Sequence, residues 1–146
     1  MCCLFGLMDY RRTLNGRQKS RLVSCLATER EARGTDAAGI AYNASGRLRI
    51  YKRPGPAHRL PFRIPEDTRV VMGHTRLTTQ GSAAHNRNNH PFAGRVPGTR
   101  FALAHNGVLY NGLSLRRSHG LPSTRIETDS YVAVQLIEQQ RALTPA

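Results

Sequence analysis

The second residue of the chain is a cysteine, and this position could give it a chemistry that an interior cysteine lacks. Removal of Met1 would leave Cys2 with a free α-amino group, and such amines have a pKa of about 7.7–8.0. Near neutral pH this amine could take the proton from the thiol, so that one residue supplies both nucleophile and base. The alternative is a structural cysteine, because cysteines are often buried. Cys3 cannot be terminal after loss of Met1 alone, and we expect it to point into the core.

A thiolate that attacks an amide needs donors for the developing oxyanion, and His105-Asn106-Gly107 could supply them. Asn106 carries a side-chain N–H, and the backbone N–H of Gly107 has no β-carbon beside it. Loss of one such donor typically lowers the rate by about 10²–10³. By itself, Asn-Gly is only a turn signal, and that interpretation stays open.

Residues 73–92 form the most polar stretch of the chain and follow the apolar run Val70-Val71-Met72. Binding groups tend to lie on loops that a rigid scaffold supports. Residues 101–105 form a second apolar run that leads into Asn106-Gly107. The sequence therefore predicts two polar turns that leave neighbouring strands side by side, although a solvated surface loop is the alternative for residues 73–92.

Length and charge limit the classes of protein to consider. A chain of 146 residues supports one domain over residues 1–146, with a net charge of +13 that comes mostly from arginine. These arginines are scattered without interleaved aromatic residues, so we expect no nucleic-acid partner. There is no apolar segment of membrane-spanning length and no signal-peptide pattern, which predicts a cytoplasmic protein. The three cysteines are expected to be reduced thiols.

Apolar runs and turn residues predict more strands than helices. Five strands are predicted, at residues 3–8, 37–42, 47–52, 69–74 and 101–105. Residues 43–46 should turn the second strand into the third as a hairpin. Asn15 should cap a helix over residues 16–32. A last helix should begin at Thr128 or Asp129, with Ala133, Leu136 and Ile137 on one face, and residues 112–122 should be a loop or broken helix.

Several short motifs, taken in order, resemble the class II glutamine amidotransferase (glutaminase) domain, an N-terminal-nucleophile hydrolase. They extend over essentially the whole chain, although each is weak alone. The motifs are Met1-Cys2 with Leu4-Phe5-Gly6, Arg33-Gly34-Thr35-Asp36-Ala37-Ala38-Gly39, Gly73-His74-Thr75-Arg76, Asn88-Asn89-His90-Pro91, His105-Asn106-Gly107 and Glu127-Thr128-Asp129.

The resemblance implies an α+β fold, an αββα sandwich of antiparallel sheets, and L-glutamine as the substrate. Cys2 would be the nucleophile that forms a γ-glutamyl thioester and releases ammonia, with Asn106 and Gly107 as the oxyanion hole. Arg76 would bind the substrate α-carboxylate and Asp129 its α-ammonium group, which suits the geometry of both charges. A structural salt bridge is the alternative for this pair.

The resemblance also implies secondary roles. Thr79 and Gln80 would add substrate contacts, Arg33 and Asp36 would support the nucleophile, and His90 would lie in a mobile loop that covers the site. No cofactor is implied. A zinc site made from Cys2 and the histidines at positions 74, 85 and 90 is disfavoured, because the sequence has no CxxC and no acidic ligand nearby.

The sequence departs from the family pattern at a few positions and, we expect, at its C-terminal side. Cys3 replaces a common glycine, Leu77 a common aromatic residue and Gln80 a frequent histidine. In the family, further strands follow the last helix, so this chain is interpreted as a C-terminally shortened member with an uncovered apolar sheet face. We expect it to self-associate or to require a partner that covers the exposed sheet, and the ammonia would go to an acceptor domain or partner subunit. Two alternatives stay open: an N-terminal-cysteine amidohydrolase for another amide, and a non-catalytic fragment or regulatory module.

Overall fold

The computed structural model describes residues 2–145, which form two antiparallel sheets and three helices. The strands are β1 (Cys3–Met8), β2 (Ala37–Ala44), β3 (Arg47–Pro54), β4 (Val70–Arg76), β5 (Phe92–Val96) and β6 (Thr99–Leu103). The helices are α1 (Gly16–Glu29), α2 (Gly112–Ser118) and α3 (Tyr131–Gln140). Within residues 2–145, no helix has the length and apolarity that a membrane span needs.

The larger sheet contains four strands in the order β1-β4-β2-β3. The predicted β2–β3 hairpin is confirmed, and its turn places Ser45 and Gly46 at φ values of 50° and 69°. Both central residues of a type I′ turn require positive φ, which makes Gly46 well suited to this position. The strands β2, β3 and β4 each extend beyond their predicted ends, because the sheet pairs continue into less apolar residues.

Helix α1 packs on one face of this sheet and forms the main core. Asn15 caps it as predicted: its side chain accepts a hydrogen bond from Gln18 N, and the Gln18 side chain accepts one from Asn15 N, each at 2.9 Å. The buried Val23 and Ala27 belong to a cluster with Ala38, Ile40 and Val71 of the sheet. The predicted end at residue 32 is wrong, because residues Arg30–Arg33 tighten into a 3-10 turn.

The sequence predicts only one of the two strands of the smaller sheet, β6. The structure adds β5, so that the described residues contain six strands instead of the predicted five. Phe92, Gly94 and Val96 of β5 are buried, and the Phe92 ring packs 5.5 Å from the Tyr131 ring of α3.

The two sheets meet at β2, where Gly39 allows a close approach. A β-carbon at Gly39 would collide with the backbone oxygen of His90 and lie 3.0 Å from Cδ of Pro91. Lys52 of β3 lies 4.9 Å from the centre of the Phe92 ring. The layers therefore follow the order helix, sheet, sheet, helix, as the predicted αββα arrangement requires, and the chain has an α+β fold.

The last helix differs from its prediction in both its start and its buried face. α3 begins at Tyr131 after Ser130, and its buried residues are Val132, Val134 and Gln135 rather than the predicted Ala133, Leu136 and Ile137. The predicted residues are only half-buried. The reason is that α3 contacts β5 on one side and α2 on another, so that its buried surface is not one stripe.

One face of β1 and the adjacent end of β4 stay open, as the sequence predicted for a sheet with an uncovered apolar face. Leu4, Met8 and Val70 are 45%, 68% and 39% exposed, whereas Phe5 and Leu7 pack against the core on the other face. Among residues 2–145, β1 pairs only with β4. Exposed apolar surface of this kind is often a contact site for other proteins.

Candidate active site

The pairing of β1 with β4 places Cys2 beside the backbone of Leu77. Cys3 lies opposite Thr75 in the antiparallel register, so the chain before β1 meets the chain after β4. The Leu77 N–H donates to Cys2 Sγ at 3.4 Å, and the thiol donates to Leu77 O at 3.3 Å. Cys2, Cys3 and Cys25 are all free thiols, as predicted, and Cys2 is half-buried. Met1 lies outside the described residues, so its removal, which would free the α-amino group of Cys2, stays a prediction.

Asp36 holds the segment that carries this backbone contact. Its Oδ2 accepts a hydrogen bond from Thr78 N at 2.7 Å, and its N–H donates to Arg76 O at 3.0 Å. Gly34 lies so close to the backbone of Arg76 and Leu77 that a β-carbon would collide with both. Arg33 is at the end of the preceding 3-10 turn and its residue is exposed. Asp36 and Gly34 therefore fix the chain directly beside Cys2, while the supporting role of Arg33 stays a prediction.

Arg76 is nearly buried, with 3% of its surface exposed. Its Nη1 donates to Asn89 Oδ1 at 2.6 Å, and its Nη2 donates to Gly81 O at 2.9 Å and to Gln80 O. Burial lowers the pKa of Arg76, and the charges of Cys2, Asp36 and Asp129 oppose this shift.

The loop after Arg76 is fastened from its other side by Asn88, which is fully buried. The Asn88 side-chain amide donates to Ser82 O at 3.1 Å and to Glu127 Oε2 at 2.8 Å, and its oxygen accepts from Glu127 N at 3.0 Å. Thr79 and Gln80 are exposed residues of this loop. Asn88 thus joins the loop to the segment that carries Asp129.

Asp129 fixes the turn that follows the proposed oxyanion residues. One carboxylate oxygen accepts a hydrogen bond from Leu109 N at 2.5 Å, and the other accepts from Ser130 N at 2.8 Å. Asn106 and Gly107 are exposed and lie between β6 and Leu109. The structure therefore brings Asp129 to the Asn106-Gly107 turn, while Cys2 makes its hydrogen bonds, among the described residues, with Leu77 alone.

The two polar turns do not leave neighbouring strands, contrary to the prediction. β4 lies in the four-stranded sheet and β6 in the two-stranded sheet. They are joined instead by a side chain, because His74 Nε2 lies 3.2 Å from His105 O. His105 Nδ1 lies in turn 3.0 Å from Ser130 Oγ. The sandwich arrangement, which apolar patterns do not specify, is the reason for the difference.

His90 lies in the interior, and its membership of a mobile covering loop stays a prediction. It is 4% exposed, with its ring 4.2 Å from the His74 ring and 4.4 Å from the Phe92 ring. Burial is the main reason that the pKa of His90 falls to about 2 and that of His74 to about 4. Burial likewise lowers the pKa of Lys52 to about 8. The segment leads through Pro91 directly into β5.

Several residues that organise the site were not predicted to do so, although some belong to the quoted motifs. They are Asn88, Asn89, Lys52 and Glu127. The two consecutive asparagines before His90 were the available signal, because buried amides must find partners. Among residues 2–145, no three histidine, cysteine or acidic side chains are grouped to hold a metal ion.

Comparison with known proteins places these residues in context. No family model matches the chain. Over 144 residues, the chain is 35% identical to the glutamine–fructose-6-phosphate aminotransferase (isomerizing) of Bacillus cereus. The match covers 96% of this chain and 22% of that protein. It is 38% identical over 112 residues to the enzyme of the same name from Symbiobacterium thermophilum, covering 73% and 18% respectively. The chain thus spans about a fifth of the length of these curated relatives.

A solved structure has the same fold. The glutamine phosphoribosylpyrophosphate amidotransferase from B. subtilis, complexed with ADP and GMP, superposes with a TM-score of 0.65. The match covers 95% of this chain and 29% of that one, at 22% sequence identity. At this identity the likeness concerns the fold alone.

Proposed function

The chain belongs to the class II glutamine amidotransferase domains, which are N-terminal-nucleophile hydrolases, and from this premise we propose that it hydrolyses the side-chain amide of L-glutamine. Cys2 is the nucleophile. Its thiolate attacks the amide carbon, the C–N bond breaks, and ammonia leaves as a γ-glutamyl thioester forms. Water then cleaves the thioester to glutamate and restores the thiol. The α-amino group of Cys2 takes the thiol proton and returns it to the departing amine.

The observation that carries this proposal is that Cys2 hydrogen-bonds the backbone of Leu77, the residue that follows the buried Arg76, and that Asp36 holds this same segment through Thr78 N and Arg76 O. A thiol, a buried cation and a carboxylate together match the reacting amide, the α-carboxylate and the α-ammonium group of one amino acid. An amidohydrolase for a neutral amide would have no use for the two charges. The geometry therefore favours glutamine over the alternative substrates that the sequence left open.

Asn106 and Gly107 supply the oxyanion donors in this proposal. They are exposed, and the turn around them is held by His105 on one side and by the Leu109–Asp129 hydrogen bond on the other. Donors that are fixed before the reaction stabilise a developing charge without reorganising. A held turn with accessible N–H groups meets this requirement.

Arg76 binds the α-carboxylate, although its guanidinium group already makes three hydrogen bonds within the protein. A guanidinium group has five N–H donors, so some are left for a ligand. A carboxylate that took both Nη2 donors would displace the carbonyl oxygens of Gln80 and Gly81. Substrate binding is thus coupled to the position of the loop that carries Thr79 and Gln80, which add further contacts in this proposal.

The remaining residues act through others. Asp36 positions the chain beside Cys2, and Arg33 belongs to the same support. Asn89 orients Arg76 through the hydrogen bond to its Nη1, and His90 packs against His74 and Phe92 as an uncharged ring. The released ammonia passes to an acceptor that another domain or subunit provides. The curated relatives are named as aminotransferases to fructose 6-phosphate, and the acceptor of this chain is left open.

Covalent labelling tests the proposal directly. Intact mass is measured after incubation with a diazoketone analogue of glutamine, alongside ammonia release from glutamine. We expect loss of Met1, one adduct on Cys2, and no adduct or activity in Cys2→Ala. Cys3→Ala and Cys25→Ala are the matched controls and should keep both. Full activity with Met1 retained, or an adduct that survives Cys2→Ala, would contradict the mechanism.

A further inference from the structure

A groove lined by four arginines lies between β3 and the β5–β6 hairpin. Its volume is about 1110 Å³, and its arginines are Arg47, Arg49, Arg95 and Arg100. We call this feature the arginine groove. It shares no lining residue with the candidate active site, so a role for the groove does not depend on the proposed hydrolysis.

Within residues 2–145, the arginine groove carries more positive than negative charge, with four arginines and one acidic residue in its lining. None of the four guanidinium groups makes a hydrogen bond or ion pair with another residue in the described range 2–145. The lining contains one acidic residue, Glu138. Its carboxylate accepts a hydrogen bond from the backbone N–H of Arg95 at 2.8 Å.

The arrangement of the arginines places like charges together. Arg95 and Arg100 lie directly opposite each other in the β5–β6 ladder, where like charges destabilise a pair of strands. Arg47 and Arg49 are two residues apart on the edge strand β3, so they lie on the same face of the strand, and both are exposed. A ligand with several negative charges would remove this repulsion when it binds.

We propose that the arginine groove binds a small phosphorylated molecule. Guanidinium groups match phosphate oxygens in bidentate geometry, which lysine does not. The volume of the groove lies slightly above the range of small-molecule sites, about 300–1,000 Å³. Its lining has no aromatic side chain, whereas sites for single-stranded nucleic acid usually stack bases on aromatic rings. The chemistry therefore favours a small polyphosphate or phosphate ester over a polynucleotide.

Calorimetric titration with inorganic triphosphate, on the full chain at low and at physiological salt, tests this proposal. The principal variant is Arg95→Gln with Arg100→Gln, and the second is Arg47→Gln with Arg49→Gln, in case the first pair disturbs the hairpin. The matched control is Arg17→Gln with Arg21→Gln. These two exposed arginines lie on α1, across the four-stranded sheet, and their loss changes the net charge equally.

We expect at least a tenfold rise in the dissociation constant for triphosphate in each groove variant and less than a twofold change in the control. An equal loss in the control would overturn the proposal, because the binding would then come from the overall charge of the chain. Absence of binding to the unmodified chain would overturn it as well. A second titration uses a ten-nucleotide single-stranded DNA. Tighter binding of the DNA with the same dependence on the groove arginines would assign the groove to a polynucleotide instead.

Discussion

Asn89 offers the sharpest test of how the substrate-binding charge is held. This residue is fully buried, and its Oδ1 accepts a hydrogen bond from Arg76 Nη1 at 2.6 Å. Its Nδ2 donates to Ala83 O at 2.8 Å. Asn89→Ala removes both contacts. A hydrogen bond to a charged group contributes about 1.5–3 kcal/mol, and a buried polar atom left without a partner costs about 1–3 kcal/mol.

Loss of the two contacts should lower both the stability of the fold and the affinity for glutamine. The free energy of unfolding should fall by roughly 2–4 kcal/mol, measured by urea denaturation. If about 1.4 kcal/mol of this loss reduces the binding free energy of glutamine, because Arg76 is less well oriented, the KM for glutamine rises about tenfold. The kcat should change less, because Asn89 does not touch the reacting atoms. Gln135→Ala is the control, because Gln135 is another buried amide that donates to a backbone carbonyl, Pro122 O at 2.8 Å, and has no hydrogen bond to Asn89 or Arg76 among the described residues. Equal KM values for the Asn89→Ala and unmodified proteins would refute the positioning role.

Further predictions concern the substrate charges, pH and association. Arg76→Ala and Asp129→Ala should each raise the KM for glutamine by an amount worth roughly 2–5 kcal/mol, with the fold intact by circular dichroism; unchanged KM values would mean that the pair is structural. The pKa values of His74 and His90 are lowered to about 4 and about 2. The free energy of unfolding should therefore be highest above pH 6.5 and should decrease as the pH falls below it, because the unfolded chain then binds more protons than the folded one. The fall from pH 7 to pH 4.5 should be several kcal/mol and smaller in His90→Phe, whereas a stability independent of pH in this range would count against buried neutral rings. The open face of β1 predicts concentration-dependent sedimentation that Met8→Thr weakens, and a monomer at all concentrations would contradict that prediction.

The elements that the sequence predicted well are those that local chemistry specifies. Asn15 and Gln18 cap α1 through a pair of hydrogen bonds within four residues, and Ser45-Gly46 sets the β2–β3 turn. β5 gave no such signal, because its five residues include Gly94 and Arg95. Gly94 has room only for a hydrogen, since a β-carbon would collide with the Phe101 ring of β6. The strand therefore depends on a partner that its own sequence does not reveal.

The same distinction separates the identities of the site residues from their arrangement. The motifs in the sequence identified Arg76 and Asp129, but not the contacts that hold Arg76. Those contacts join β4 to Asn89 and to a loop, and Asn88 ties the other end of that loop to Glu127. Such contacts form only when segments distant in sequence pack together, and spacing does not encode them. They also change the interpretation of Arg76. A guanidinium group that already donates to Gln80 O and Gly81 O holds its own loop in place, and a glutamine carboxylate that binds through Nη2 must compete with those carbonyl groups. Because the same donors serve the loop and the ligand, any substitution that loosens the loop should alter glutamine affinity even where it touches no substrate atom.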